Sequence, residues 1–127
     1  MTSCGLLKEK TKIKRYEMNL VIGGSYQGKT EYALNTFPRA KFFNQAHLFI
    51  KKRLTEGRVK EEILAEILAA TSEGQWVIIA DEIGNGVVPM DANERSWRDI
   101  AGQILIELAK EATEVHRVVL GIGQRIK

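Results

Sequence analysis

The chain of 127 residues has few of the residues that define disulfide, metal or membrane proteins. Its single cysteine, Cys4, excludes an internal disulfide and a cysteine-rich zinc site. Its two histidines, His47 and His116, are far apart in the sequence and form no metal-ligand motif. No apolar run approaches the roughly twenty residues of a membrane helix, and none follows the N-terminal lysines as in a secretory signal. We therefore expect a protein of a reducing compartment, the cytoplasm, with no membrane partner.

The N-terminal segment is rich in basic residues, although the net charge of the chain is only +3. Its basic residues are Lys8, Lys10, Lys12, Lys14 and Arg15. Because no aromatic side chain interleaves with them before Tyr16, the pattern favours a solvated leader over a nucleic-acid-binding arm. We interpret residues 1–17 as this leader, disordered or forming an extra edge element. With 44% hydrophobic residues, 18–127 can form one domain with its own core.

Residues 23–30 have the sequence GGSYQGKT, which matches the phosphate-binding pattern G-x-x-x-x-G-K-T. The motif follows an apolar run at 18–22 and precedes a candidate helix, which is the context that it requires. Glycines let backbone N–H groups approach phosphate oxygens, while Lys29 reaches the β- and γ-phosphates and the Thr30 hydroxyl ligates Mg²⁺. The alternative is a glycine-rich turn with a chance lysine. The predicted nucleotide-binding residues are Gly23, Gly24, Ser25, Tyr26, Gln27, Gly28, Lys29 and Thr30.

Strand and helix patterns alternate along the rest of the chain. The predicted strands are 18–22, 41–43, 76–80 and 118–120, with Gly121 and Gly123 ending the last one, and the predicted helices are 29–36, 46–54, 59–71 and 93–112. The continuous apolar run at 76–80 is typical of a strand buried on both faces of a parallel sheet. The alternation predicts an α/β fold, a mostly parallel sheet with helices on both faces.

Two acidic residues, Asp81 and Glu82, directly follow the predicted strand 76–80. Ligands bind at the carboxyl ends of parallel strands, and an acid there commonly holds Mg²⁺ beside a phosphate-binding loop. A second acid can orient or deprotonate the attacking hydroxyl. We assign Asp81 to the metal and Glu82, with Lys29, to catalysis, although the two acids could exchange roles. The alternative is a pair of solvated acids in a turn.

Three further residues are weaker candidates. Arg95 and Arg98 could stabilise a transferring phosphoryl group, because guanidinium groups match phosphate geometry. They could equally form surface ion pairs on their helix. Gln124 follows the predicted last strand and could contact the γ-phosphate, or it could be an ordinary turn residue.

Three segments resemble one enzyme family. Residues 81–90 read DEIGNGVVPM, residues 94–103 read ERSWRDIAGQ, and the chain ends with GIGQRIK. They are similar to the motifs N-E-V-G-x-G-I-V-P, R-x-F-R-D-x-A-G and G-I-P-x-x-x-K of the adenosylcobinamide kinase/adenosylcobinamide-phosphate guanylyltransferase family. The resemblance implies a RecA-like P-loop NTPase fold and a homo-oligomer. It also implies Mg²⁺-dependent phosphoryl transfer from ATP or GTP to a hydroxyl of cobinamide, in cobalamin biosynthesis.

The chain departs from this family between Thr30 and Asp81. Family members have a longer segment there, with a histidine that becomes guanylylated. His47 instead aligns with a family stretch, D-C-L-T-L-W-L, in which no nucleophile is expected, and Asn44 replaces its aspartate. We therefore interpret His47 as a partly buried helix histidine.

Two expectations follow from this departure. The first is a kinase that has lost guanylyltransferase activity. The second is a nucleotide-dependent switch, binding module or NTPase without cobinamide chemistry. We interpret His116, near the last predicted strand, as structural.

Overall fold

The computed structural model describes residues 16–82 and 92–127. In chain order the elements are β1 (Tyr16–Gly23), α1 (Lys29–Thr36), β2 (Lys41–Phe43), α2 (Ala46–Thr55), α3 (Lys60–Ala70), β3 (Gly74–Asp81), α4 (Ala92–Glu111), β4 (Glu114–Val119) and β5 (Ile122–Arg125). The expected boundary between leader and domain, at residue 17, falls inside β1, because strand pairing with β3 begins at Tyr16. The remainder of the predicted leader lies outside the described residues.

The described strands form one sheet in the order β2-β3-β1-β4-β5. Strands β2, β3, β1 and β4 are parallel, and β5 pairs antiparallel with β4. The predicted mostly parallel α/β sheet is therefore confirmed. The first strand lies in the middle, so the loop that follows it lies between the carboxyl ends of β3 and β4.

Alternate residues of the inner strands face opposite sides of the sheet, and both sides are covered by helices. Leu20 and Ile78 pack in one core cluster with residues of α2, α3 and α4. Val21 and Ile79 pack in a second cluster with Ala33 of α1. Each large apolar side chain buried in this way contributes about 1.5–3 kcal/mol to folding. Among the described helices, α1 is the one that packs on this second face, and it begins directly after the candidate phosphate loop.

The C-terminal end differs from the prediction. The last inner strand ends at Val119, and a two-residue turn of Leu120 and Gly121, with φ of 52° and 76°, leads into β5. Positive φ at both positions is the geometry of a tight β-hairpin. The interpretation of Gly123 as a strand breaker was wrong: it lies inside β5, where an added Cβ would overlap the Tyr32 ring.

None of the helices in the described part of the chain is both long and apolar enough to cross a membrane.

Candidate nucleotide-binding site

The loop between β1 and α1 depends on glycine at both of its ends. A Cβ added to Gly23 would overlap the carbonyl oxygen of Val118 on the neighbouring strand. Gly28, which precedes α1, has φ of 82°, a left-handed conformation that other residues rarely adopt. Gly23 therefore lets β4 pass close to the start of the loop, and Gly28 lets the chain turn into the helix.

Lys29 lies in the first turn of α1, and its side chain folds back over the loop. Its Nζ donates a hydrogen bond to the carbonyl oxygen of Gly24 at 2.8 Å and lies 2.7 Å from Oδ1 of Asp81. The side chain is only 9% exposed, so this ammonium group is largely shielded from water. The ion pair brings together the two residue types on which a phosphate and metal site depends.

Asp81 ends β3 opposite Gly23 of β1, which places it at the same sheet edge as the loop. Its Oδ2 accepts a hydrogen bond from the Ser25 hydroxyl at 2.7 Å. Burial raises the pKa of Asp81, but the hydrogen bonds from Lys29 and Ser25 and the nearby His47 outweigh burial and lower the pKa overall. The predicted position of Asp81 beside the loop is confirmed, and its carboxylate is held ionised there.

His47 was not expected at this site, although it makes two contacts with Asp81. Its Nδ1 accepts a hydrogen bond from the Asp81 main-chain N–H at 3.0 Å, and its Nε2 lies 3.3 Å from Oδ2. Burial lowers the pKa of His47, the Asp81 carboxylate opposes this, and Lys29 adds to the lowering. The neutral ring, with the proton on Nε2, satisfies both contacts. The signal in the sequence that could have identified His47 is its position shortly after β2, because β2 and β3 end at the same edge of the sheet.

A cavity of about 430 Å³ opens between the loop and the start of α2. Its size is within the range of small-molecule sites in proteins. It is lined by loop and helix residues 25–31, by Asn44, Gln45, His47 and Leu48, and by Asp81. The predicted metal ligands Thr30 and Asp81 therefore face one shared space. In the described ranges, no three His, Cys, Asp or Glu side chains come together as a metal-binding group.

Glu82 lies beside Asp81 in the sequence but has a different environment. Its carboxylate pairs with the Arg117 guanidinium through two contacts, Nε to Oε1 at 3.0 Å and Nη2 to Oε2 at 3.1 Å. Glu82 is not among the described residues that line the cavity. Its catalytic role stays a prediction, and it would require release of at least one contact to Arg117.

The weaker candidates are placed away from the cavity. Arg95 and Arg98 lie in the first half of α4, and Gln124 lies within β5 opposite Arg117 instead of in a turn. None of these three residues is among the described residues that line the cavity. His116 is buried and contacts the Tyr32 hydroxyl at 2.7 Å and Glu114 at 2.8 Å, which confirms the structural interpretation.

The sheet order, the glycine loop and the acid at the end of the neighbouring strand define an α/β protein whose fold is consistent with that of P-loop NTPases. The sequence profile of the cobinamide kinase / cobinamide phosphate guanyltransferase family matches residues 42–126. The chain belongs to this family. The matched range begins after the glycine loop, so the loop is recognised from its own motif and geometry.

Two relatives share substantial identity with parts of the chain. The bifunctional adenosylcobalamin biosynthesis protein CobU of Salmonella typhimurium (strain LT2) is 47% identical over 75 residues, which is 57% of this chain and 40% of the relative. The protein of the same name from Escherichia coli (strain K12) is 47% identical over 51 residues, 40% of this chain and 28% of the relative. The matched segment thus spans less than half the length of either relative.

Proposed function

We propose that this protein binds ATP or GTP with Mg²⁺ at residues 23–30 and transfers the γ-phosphoryl group to a hydroxyl of cobinamide. The observation that supports this best is the 2.7 Å contact between Lys29 Nζ and Asp81 Oδ1 at the edge of the cavity. A lysine in a glycine loop, next to an acid that ends the neighbouring strand, is the arrangement found in P-loop phosphoryl-transfer sites. Family membership supports cobinamide as the acceptor.

The chain's own groups would position the triphosphate. Backbone N–H groups of the loop would bind phosphate oxygens, helped by the positive end of α1. The Lys29 ammonium would exchange the Gly24 carbonyl for the β- and γ-phosphate oxygens, and Lys29 already lines the cavity. Binding would thereby neutralise the charge that develops during transfer.

A hydroxyl and a carboxylate are oxygen donors that suit Mg²⁺, which commonly takes one or two protein ligands together with phosphate and water. Thr30 and Asp81 are such a pair and line the same cavity. Bound Mg²⁺ would supply positive charge to the β- and γ-phosphate oxygens. Asp81 would then exchange its contact with Lys29 for the metal, while Ser25 and His47 keep its carboxylate in place.

The acceptor hydroxyl would approach from the part of the cavity lined by Asn44, Gln45 and Leu48. Glu82 is the proposed group that orients or deprotonates it, after exchange of a contact to Arg117. Arg95 and Arg98, on the helix that follows, remain proposed phosphate contacts, directly or across a subunit boundary of a homo-oligomer.

We also propose that guanylyl transfer is absent. His47 is the only histidine between the loop and Asp81, and both of its ring nitrogens contact Asp81. A nitrogen engaged in this way is a poor nucleophile for a phosphorus centre, because attack would break the contact that holds the acid.

The test uses GTP labelled either at the γ-phosphate or at the α-phosphate. We expect label from the γ-position to appear in cobinamide phosphate, and no label from the α-position to remain on the denatured protein. An acid-labile protein–GMP adduct would contradict the absence of guanylyl transfer. If nucleotide binds but cobinamide neither binds nor accelerates its turnover, the kinase proposal is wrong.

In that second case, a nucleotide-dependent switch or NTPase is favoured. The observation that favours it is that Glu82, the proposed group for the acceptor hydroxyl, is paired with Arg117 and is not among the described residues that line the cavity.

A further inference from the structure

We propose that the base of the bound triphosphate lies against Tyr26 and Leu120, the two exposed apolar side chains where the phosphate loop meets the β4–β5 turn. This inference rests on the proposed function for the presence of the triphosphate. The ligand surface that these residues would contact is the flat face of a nucleobase.

The order of the strands gives the direction in which a bound nucleotide extends. β1 lies between β3 and β4, and the loop continues from its end. Asp81 and Lys29 mark the γ-phosphate end on the β3 side. The nucleoside therefore leaves the loop on the β4 side, where the next strand is about 4.8 Å away. The β4–β5 turn is the first structure that it meets there.

The loop and this turn are joined by direct contacts. The Leu120 main-chain N–H donates to Oε1 of Gln27 at 2.6 Å, and the Gly121 N–H donates to the Gln27 carbonyl oxygen at 2.7 Å. A Cβ added to Gly28 would lie 3.2 Å from the Cα of Gly121, so the two backbones are in close contact. The turn is thus held in a fixed position relative to the phosphate loop, as a base-binding surface requires.

The backbone at both residues is unusual for their type. Tyr26 has φ of 58° and Leu120 has φ of 52°, and the only other described non-glycine residue with positive φ is Gln45. Tyr26 is fully exposed and Leu120 is 79% exposed, so neither strained conformation is offset by burial in the fold. Asparagine or glycine would suit both positions better. Large apolar side chains held outward at a local cost point to a ligand that covers them.

An aromatic ring and an aliphatic side chain suit the face of a base, since stacking and apolar contact depend little on the groups at its edge. We therefore expect ATP and GTP to bind with similar affinity. Tyr26 borders the cavity at the loop, and the part of the cavity lined by Asn44, Gln45 and Leu48 then remains for the acceptor.

Replacement by asparagine separates base contact from folding. Leu120→Asn and Tyr26→Asn remove the apolar surface, and both relieve backbone strain because asparagine tolerates positive φ. Val59→Asn is the matched control, since Val59 is 52% exposed and precedes α3, where asparagine is a favoured cap. Calorimetric titrations use MgATP, MgGTP and magnesium tripolyphosphate, which has no base. Thermal unfolding and molar mass by light scattering are measured on each variant.

We expect the wild type to bind MgATP and MgGTP more tightly than tripolyphosphate. Leu120→Asn should weaken both nucleotides about fivefold with tripolyphosphate affinity unchanged. Tyr26→Asn should weaken both nucleotides about tenfold, which is more than it weakens tripolyphosphate. Thermal stability should be unchanged or raised in both variants. Val59→Asn should leave all three affinities unchanged.

Other results would overturn the inference. Equal binding of nucleotide and tripolyphosphate by the wild type, or unchanged nucleotide affinity in both variants, would show that the base lies elsewhere while the phosphate site stands. A lower molar mass with unchanged affinities would assign the surface to contacts between copies of the chain. Failure of the wild type to bind any of the three ligands would remove the proposed function as well.

Discussion

His47 holds Asp81 by two different atoms: its Nδ1 accepts from the Asp81 main-chain N–H at 3.0 Å, and its Nε2 lies 3.3 Å from the carboxylate. The histidine is in the first turn of α2 and the aspartate ends β3, so the contact also joins a helix to the sheet edge. One side chain therefore fixes both the backbone and the carboxylate orientation of the proposed metal ligand.

Replacement of His47 by alanine should affect metal-dependent binding more than binding of the nucleotide alone. The Asp81 N–H would lose its acceptor, and the free energy of unfolding should fall by about 1–3 kcal/mol. Nucleotide affinity should fall in excess Mg²⁺ and change little in EDTA, because only the metal complex uses the oriented carboxylate.

The control is His116→Ala, which removes a buried histidine that contacts Tyr32 and Glu114 instead of the site. It should lower stability without changing the ratio of affinities with and without Mg²⁺. An equal change of that ratio in both variants would contradict the positioning role of His47.

Lys29→Met should lower triphosphate affinity by about a hundredfold or more, because it removes a charged donor while keeping a side chain of similar length. Isothermal titration with MgATP measures the loss, and circular dichroism checks the fold. Lys110→Met is the matched control, since Lys110 is a 68% exposed lysine on α4 that pairs with Glu107 at 3.4 Å. Triphosphate affinity within threefold of the wild type in Lys29→Met would remove the phosphate site from residues 23–30.

The phosphate loop and the inner strands could be predicted because their signals are local. The glycine pattern and the apolar runs predict β1, α1 and β3: the bounds of α1 agree, and each strand is longer than predicted by two residues at its start and one at its end. The contact between His47 and Asp81 joins residues 34 positions apart and depends on β2 lying next to β3. Hydrophobic periodicity indicates that strands exist but does not give their order, so this part of the site could not be read from the sequence.

The C-terminal hairpin was missed for a different reason. Two glycines within three residues usually indicate the end of a strand. Here Gly121 instead forms a tight turn, and Gly123 leaves room for the Tyr32 ring. The reason for the second glycine is a tertiary contact with α1, which no local pattern contains. Gln124 was consequently predicted in a turn at the ligand edge instead of within β5.

Gly23→Ala should disrupt the loop, because the added Cβ would overlap the Val118 carbonyl and press on the Lys29 side chain. Relief of such an overlap requires a backbone shift, which typically costs about 1–3 kcal/mol. We expect lower thermal stability together with weakened triphosphate binding, measured by calorimetry and titration.

Gly102→Ala is the control for Gly23→Ala, because the added Cβ has free space at Gly102. Gly102 lies inside α4, and apart from its own helix backbone and chain neighbours no described residue has an atom within 4 Å of an added Cβ. Alanine there should stabilise the protein by about 0.5–1 kcal/mol, since it improves helix propensity, and it should leave nucleotide affinity unchanged. Similar effects of the two substitutions would show that Gly23 is not constrained by close packing.

The pairing of Arg53 with Glu66 predicts a specific dependence of stability on pH. The Arg53 guanidinium, in α2, contacts both carboxylate oxygens of Glu66 in α3, at 2.9 and 3.1 Å, and so braces the helix that begins beside the site. These hydrogen bonds hold the pKa of Glu66 below its ordinary value of 4.5, although burial opposes them. The unfolded chain therefore takes up the proton first as the pH falls.

The stabilisation from this pair should be complete above pH 4.5 and should be lost as the pH falls through the lower pKa of the folded state. Glu66→Gln should be less stable than the wild type at pH 7, and the difference should shrink below pH 4.5. Urea unfolding across this range measures the difference, with Glu61→Gln on the exposed side of α3 as the control. A difference between Glu66→Gln and the wild type that stays constant with pH would mean that the ion pair does not contribute through the charge of Glu66.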